Sequence, residues 1–376
     1  MKLVFCLNSL YHVGGSERVW IERLNYLSEN TDYQLYLITT DQDKRKNFYE
    51  VNSKINLIDL DINYYKDKEL NFIKRIFQFK KKQKKHLKKL EKTLNDIQPD
   101  IVIGHGTEEK WLLPYFKGKY KIVLEHHLEK NFLKKSARNM LYKLKADYFV
   151  YKEKKLINIY DEFLVLTEQD KKQWNNDKVK VIPNPLPFSP TEISNLKNKK
   201  IISIGRLEHQ KGYDILIDVW DMISKKYPNW ILEIYGEGTE REKLQNKINK
   251  LGLENSFLLK GVEKNIQSKY LESSIYVMSS RFEGFGMVLI EAMSCGVPVI
   301  SFDCPCGPKD IIKNNEDGFL VEFGNIEKMA KKIEELIINE EKRKLFGKNA
   351  KKNVQIFSQY KVMNQWKELF ESMVRR

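Results

Sequence analysis

Two glutamates, Glu283 and Glu291, bracket a glycine turn in "RFEGFGMVLIEAMSCG". Paired carboxylates are the usual apparatus of general acid–base chemistry or of a hard-metal site, and for either purpose they must meet. The preceding "IYVMSS" reads as a strand and "MVLIEAMSCG" as a helix, so Gly284 and Gly286 make the turn between them. Glu283 then lies in the loop and Glu291 a turn inside the helix. On a continuous helix they would stand roughly 80° apart, which disfavours a shared-proton dyad or a carboxylate metal site. What the turn offers instead is backbone. Amides around Phe285, Gly286, Met287 and Val288 would face an anion, with the helix dipole assisting.

Three other stretches end strand-like runs, where open α/β sheets bind ligands. In "SIGRLEHQKGYDILI", Arg206 and Lys211 stand before a helix beginning near Tyr213. A planar guanidinium and a point-charge ammonium so placed can clamp a diphosphate, or they are simply solvated loop charges. In "YHVGGSERV", Gly14 and Gly15 open a helix with bare backbone amides, although a tight turn explains them equally well. The order is not G-x-G-x-x-G, so the dinucleotide fingerprint is absent. In "IVLEHHLEK", His126 and His127 follow a strand, and either could face a cleft or serve the core. Cys304 and Cys306 form a C-x-C pair without a second pair at zinc spacing, so no metal is expected.

These stretches need a scaffold. Short apolar runs alternate with amphipathic ones from "KLVFCLNS" to "EFLVLT", then restart from "KIISIGR" to "GFLVEFG". The alternation predicts parallel βαβ sheets, and its restart predicts an α/β fold of two doubly wound domains, a size suited to 376 residues. "VIPNPLPFSP" interrupts the rhythm with four prolines in ten residues, which places the boundary near residue 186. Residues 1–185 form the first domain and 186–357 the second. The closing stretch, about 358–376, is helical, with Val362, Trp366, Leu369 and Phe370 at apolar positions. No apolar run approaches the roughly 20 residues of a membrane span, and no leader is evident, so the chain reads as cytoplasmic.

The formal net charge of +15 predicts an anionic partner without choosing among nucleic acid, lipid surface and phosphorylated substrate. Residues 74–92, "KRIFQFKKKQKKHLKKLEK", concentrate that charge against a single Glu. With Ile73, Ile76, Phe77, Leu87, Leu90 and Leu94 near one face, they suit a basic amphipathic helix. That helix either docks on its domain with a solvated lysine face or lies on an anionic membrane. Nucleic acid is not expected, because no nucleic-acid module accompanies the charge.

Taken together, "VGGSERV", "GRLEHQKG", "EGFGMVLIEAMSCGVPVI" and "DGFLVE" resemble, in order and spacing, the retaining glycosyltransferases of the GT-B fold, family four, of the bacterial polysaccharide and lipid-linked-oligosaccharide type. The resemblance implies two Rossmann-like domains facing across a cleft, with the last helix crossing back to the first domain. It implies a nucleotide-sugar donor, UDP-linked first and GDP-mannose second, bound mainly by the second domain. Arg206 and Lys211 match the pair that holds the diphosphate, Glu283 the residue near the sugar hydroxyls, and Glu291 the residue on the ribose. Phe285, Gly286 and Met287 would line phosphate and sugar, and Gly261 and Val262 would border the base. Gly14 and Gly15 would approach the donor phosphates, and His126 matches a cleft histidine near the sugar. The family needs no divalent metal or separate cofactor. A glycan or lipid-diphosphate acceptor would give residues 74–92 a purpose, at the inner face of the cell membrane. A sugar-nucleotide epimerase of the same fold and a basic nucleic-acid-binding module are the competing readings.

Overall fold

The computed structural model describes the chain except residues 12–14, 68, 70, 106–107, 136–138 and 376, and the side chains of residues 16 and 72. Thirteen strands form two separate sheets among these residues, each wholly parallel. The first contains β1 (Lys2–Leu7), β2 (Gln34–Thr39), β3 (Asn56–Asp59), β4 (Ile101–His105), β5 (Lys121–His126), β6 (Glu162–Val165) and β7 (Val179–Val181), in the order β3-β2-β1-β4-β5-β6-β7. The second contains β8 (Lys200–Ile204), β9 (Ile231–Tyr235), β10 (Phe257–Gly261), β11 (Ile275–Met278), β12 (Val299–Phe302) and β13 (Gly318–Val321), in the order β10-β9-β8-β11-β12-β13.

The strands read as continuous apolar runs because helices cover both faces of each sheet. In β1 the alternation of side chains sends Leu3, Phe5 and Leu7 into one core and Val4 and Cys6 into the other. The helices of the first half are α1 (Gly15–Asn30), α2 (Phe72–Ile97), α3 (Glu109–Leu112), α4 (Phe132–Lys135), α5 (Met140–Leu156) and α6 (Glu168–Trp174). Those of the second are α7 (Tyr213–Ser224), α8 (Arg241–Leu251), α9 (Ile266–Leu271), α10 (Met287–Ser294), α11 (Pro308–Ile311), α12 (Ile326–Ile338) and α13 (Glu340–Asn353). The last, α14 (Gln359–Arg375), crosses back and buries Val362, Met363, Trp366, Phe370 and Met373 in the core of the first sheet. There the Arg23 guanidinium of α1 lies 3.9 Å from the centre of the Trp366 ring.

Two sequence expectations change. The three-residue β7 is a seventh strand that its proline-rich surroundings concealed. The apolar positions of α2 do not act as one face. Leu90 and Leu94 are fully buried and Leu87 packs against the same core, whereas Ile73, Ile76 and Phe77 stand exposed. α2 docks from Phe79 onward: Phe79 packs against Tyr64 at 5.6 Å, and lysines bond carbonyls of the 60–63 loop, such as Lys82 Nζ to the Asn63 oxygen and Lys89 Nζ to the Leu60 oxygen, each at 2.6 Å.

Candidate functional site

Topology explains why the chemically suggestive loops converge. β8 and β11 lie side by side at the position where strand order reverses in the second sheet. A doubly wound sheet opens its ligand crevice at that point, beyond the strand C-termini. The loops that follow these two strands carry Lys211 and Glu283. The structure joins them: Lys211 Nζ lies 2.7 Å from Glu283 Oε1. Ser280 donates its hydroxyl to the same oxygen at 2.5 Å. Gly212 makes the approach possible. Its φ is +65°, and a Cβ there would stand 2.2 Å from the Ser279 carbonyl oxygen.

Lys211 and Glu283 line a cavity of about 200 Å³ with Gly284, Phe285, Gly286, Met287 and Val288 on the second domain's side. The start of α10 therefore faces this space, and its dipole favours an anion there. Opposite stand Gly15, at the start of α1, and His127, Leu166 and Asn184. The domains touch beside the cavity, where a Cβ on Gly284 would lie 2.3 Å from the His127 carbonyl oxygen. Phe132 and Phe282 stack edge to face at 5.4 Å. Glu168 and Gln169 at the start of α6 donate their amides to the Asp310 carboxylate.

Glu291 has a different environment. It is buried, accepts a hydrogen bond from the Tyr270 hydroxyl at 2.9 Å, and has Arg18 Nη1 of the first domain at 3.8 Å. Burial raises its carboxyl above the usual range, against the pull of Arg18 and Tyr270. The two glutamates thus have separate partners, and no group of three or more His, Cys, Asp or Glu among the described residues could hold a metal ion. The Arg206 side chain is exposed and makes no hydrogen bond or ion pair among the described residues. Gly261 and Val262 sit at the end of the edge strand β10, two strands from β8, outside the cavity lining; Val262 is exposed. Gly14 lies outside the described residues.

The histidine expectation needs correction. His126 turns away from the cavity, stacking on Phe163 and standing 3.8 Å from Glu153. Successive residues of a strand point to opposite faces, so the neighbour, His127, is the one that reaches the cleft. His127 is held from behind: its Nε2 lies 2.7 Å from Glu125 Oε1, and Arg23 grips that carboxylate through both nitrogens at 2.7 and 2.6 Å. Though burial opposes it, Arg23 and His127 hold Glu125 well below the usual carboxylate range. Glu125 and Arg23 are both buried, so the pair fixes the imidazole firmly. Sequence reasoning also missed Asn184 inside the proline-rich stretch. Its side-chain oxygen is buried without a hydrogen-bond partner among the described residues, beside the cavity. An unpaired buried polar atom costs stability unless a ligand satisfies it.

A second cavity, of about 320 Å³, opens in the first domain beyond β1 and β2. Glu17, Asp41, Asp67, Glu108, Tyr64, Tyr65 and Arg75 are among its lining. Glu17 lies two residues past Gly15, so the first turn of α1 borders both cavities.

Residues 188–353 match the family model described as glycosyl transferases group 1. The chain is 30% identical to an uncharacterised glycosyltransferase of Haemophilus influenzae, across 97% of this chain and 99% of that one. It is 25% identical, across 98% of both chains, to a Campylobacter jejuni protein named as an alpha-1,4-N-acetyl-D-galactosaminyltransferase of a diNAcBac-PP-undecaprenol-linked GalNAc saccharide. Among solved structures, Anabaena HepE in complex with UDP and glucose superposes with a TM-score of 0.71 at 18% identity, covering 99% of this chain and 100% of that one. The fold it shares is GT-B.

Proposed function

Since the chain belongs to the group 1 glycosyltransferases, we propose that it transfers a hexose or N-acetylhexosamine from a UDP-sugar, with retention, to a glycan or lipid-diphosphate-linked acceptor in bacterial surface-polysaccharide synthesis. One observation carries this reading: the Lys211–Glu283 pair at the start of α10, closed over by Gly15 and His127. A cation and helix-end amides in one small cavity suit a leaving diphosphate, and Glu283 suits sugar hydroxyls. Arg206, exposed and unpaired, is free to swing onto the diphosphate. The buried Glu291 carboxylate is suited to accept from a ribose diol.

The chemistry follows from the same charges. As the bond from the anomeric carbon to the diphosphate breaks, Lys211 and the amides of α10 stabilise the departing anion. Its oxygen takes the acceptor's proton, and the acceptor oxygen bonds the anomeric carbon from the same face. Preorganised donors of this kind are each worth roughly 10²–10³ in rate. No divalent metal enters the scheme. The acceptor sugar fits the first-domain cavity, whose carboxylates suit hydroxyl groups. The name of the Campylobacter jejuni relative carries an undecaprenol-linked substrate, which supports the lipid-linked class. Placement at the inner face of the cell membrane follows from such an acceptor, and among the described residues no helix is long and apolar enough to cross a membrane.

The test is thermal stabilisation by UDP, GDP, ADP and UDP-sugars, because a ligand of the folded state raises Tm by mass action. UDP and one UDP-sugar should stabilise the protein. Response to GDP alone would redirect the reading to GDP-mannose, and response to no nucleotide would overturn it. Proton NMR of the product's anomeric centre tests retention.

A further inference from the structure

Asn184 stands between Pro183 and Pro185, three residues past β7. Each proline ring locks its own φ, and Pro185 also confines Asn184 to extended backbone. The chain is pinned on either side. The Ile182 amide donates to the Val165 oxygen at 3.1 Å, and the Leu186 amide to the Phe357 oxygen at 2.7 Å. So held, the Asn184 carboxamide has a fixed place in the lining of the cavity that carries Lys211 and Glu283.

The other polar side chains of that lining have partners. Lys211 and Glu283 bond each other, and His127 meets Glu125 and Trp20. Asn184 is 4% exposed, yet its Oδ1 has no hydrogen-bond partner among the described residues. Leaving a buried acceptor unpaired costs stability, and a donor group on a ligand removes that cost.

Beside this acceptor the wall is apolar. Leu166 follows β6, the strand paired with β7, so it and Asn184 line the cavity from adjoining strand ends. Leu166 is buried in one core with Leu186 and Phe285. A sugar hydroxyl both donates and accepts, so it leaves part of its capacity unmet against one acceptor and a leucine. An acetamido group matches the pair: its N–H donates to the carboxamide oxygen and its methyl rests on the leucine. In a 2-acetamido sugar that group sits on the carbon next to the anomeric centre. It therefore shares the small cavity with the diphosphate that Lys211 suits.

We propose that Asn184 and Leu166 form the subsite for a donor acetamido group, so that the enzyme selects UDP-N-acetylhexosamines over the matching UDP-hexoses. The assignment rests on the UDP-sugar reading and narrows it. Asn184 then sets donor choice without taking part in bond cleavage.

Calorimetric titration of the full chain with UDP, UDP-N-acetylglucosamine, UDP-glucose, UDP-N-acetylgalactosamine and UDP-galactose tests it. Wild-type protein should bind the N-acetylated member of at least one pair roughly tenfold more tightly than its hexose, or better, because a site built for an N–H rejects the analogue that lacks it. Asn184→Ala should weaken that N-acetylated donor roughly tenfold and leave the hexose within about twofold. Asn184→Leu, which removes the acceptor without opening a void, should do the same. Both variants should bind UDP as the wild type does, which separates a lost subsite from lost folding. Wild-type binding of UDP without preference for either N-acetylated donor overturns the proposal and leaves the donor reading standing. So does a preference that the variants retain. Equal weakening of both members of a pair overturns it in favour of a hydroxyl common to both. Binding of no UDP ligand sinks the donor reading and this assignment together.

Discussion

The Arg18 guanidinium of the first domain stands 3.8 Å from the Glu291 carboxylate of the second, so the two halves of the chain are joined electrostatically beside the candidate donor site. Glu291 is buried and already accepts from Tyr270, which leaves its second oxygen facing Arg18. Ribose hydroxyls bonding this carboxylate would form charge-assisted bonds of roughly 1.5–3 kcal/mol. Glu291→Ala should therefore raise the donor KM by roughly tenfold to a hundredfold and leave kcat within a few-fold. Initial rates over a donor series measure this; an unchanged KM refutes the ribose assignment.

Lys211 should behave differently. It is half-buried, pairs with Glu283, and is aimed at the cavity that suits the diphosphate. Charge on that group grows as the glycosidic bond breaks, so the ammonium acts chiefly in the transition state. Lys211→Ala should lower kcat by roughly 10²–10³ with a smaller change in KM. A fall in affinity alone, with kcat preserved, would assign Lys211 to ground-state binding.

Gly284 provides a steric test of the cleft. A methyl group there would meet the His127 carbonyl oxygen at 2.3 Å, and that neighbour is backbone. The domains must separate or the 283–286 turn must shift. Gly284→Ala should lower kcat/KM at least tenfold while each sheet keeps its own core, as a displaced reacting group costs rate steeply. Small-angle scattering should show a more open molecule. Full activity would mean that the contact is dispensable.

The two adjacent histidines make an internal control. His127→Ala should lower turnover roughly tenfold to a hundredfold; Arg23 continues to neutralise Glu125, and the stability lost is that of the buried Trp20 Nε1–H left without its acceptor, roughly 1–3 kcal/mol. His126→Ala should lower Tm while preserving donor affinity, since His126 packs between Phe163 and Trp174 and faces Glu153. Reversal of these outcomes would return the cleft role to His126.

Which of these features a sequence discloses follows from how local each one is. The strands were legible because parallel strands buried on both faces must be continuously apolar, as "LVFCL" and "YVM" are. β7 was not, because three residues among prolines carry no periodicity. The Lys211 and Glu283 loops were legible as strand-end loops, and their meeting follows from β8 neighbouring β11. The choice between His126 and His127 was not legible, since identical residues do not disclose the phase of a strand. Arg18 and Glu291 belong to different domains, and their approach depends on how those domains dock. The division of α2 between the exposed Phe77 and the packed Phe79 was concealed because buried leucines and exposed apolar residues share one helical spacing.

His86 links the basic helix to pH. It is fully buried on α2, its Nδ1 lies 3.2 Å from the Tyr64 hydroxyl, and its Nε2 has no hydrogen-bond partner among the described residues. Burial pushes its pKa down to about 4. An unfolded histidine protonates near pH 6.5, so between about pH 6.5 and 4 the unfolded chain binds a proton that the folded chain refuses. Stability then rises with pH across that window and is lost as pH falls through it, by roughly 2 kcal/mol between pH 7 and 5. Buried His105 is also depressed and adds to the wild-type slope in the same direction, so the comparison must be made against a variant. His86→Gln removes the titrating group and should flatten the pH dependence of the urea midpoint by about that amount. Equal slopes for wild type and variant would show that His86 is protonated in the fold.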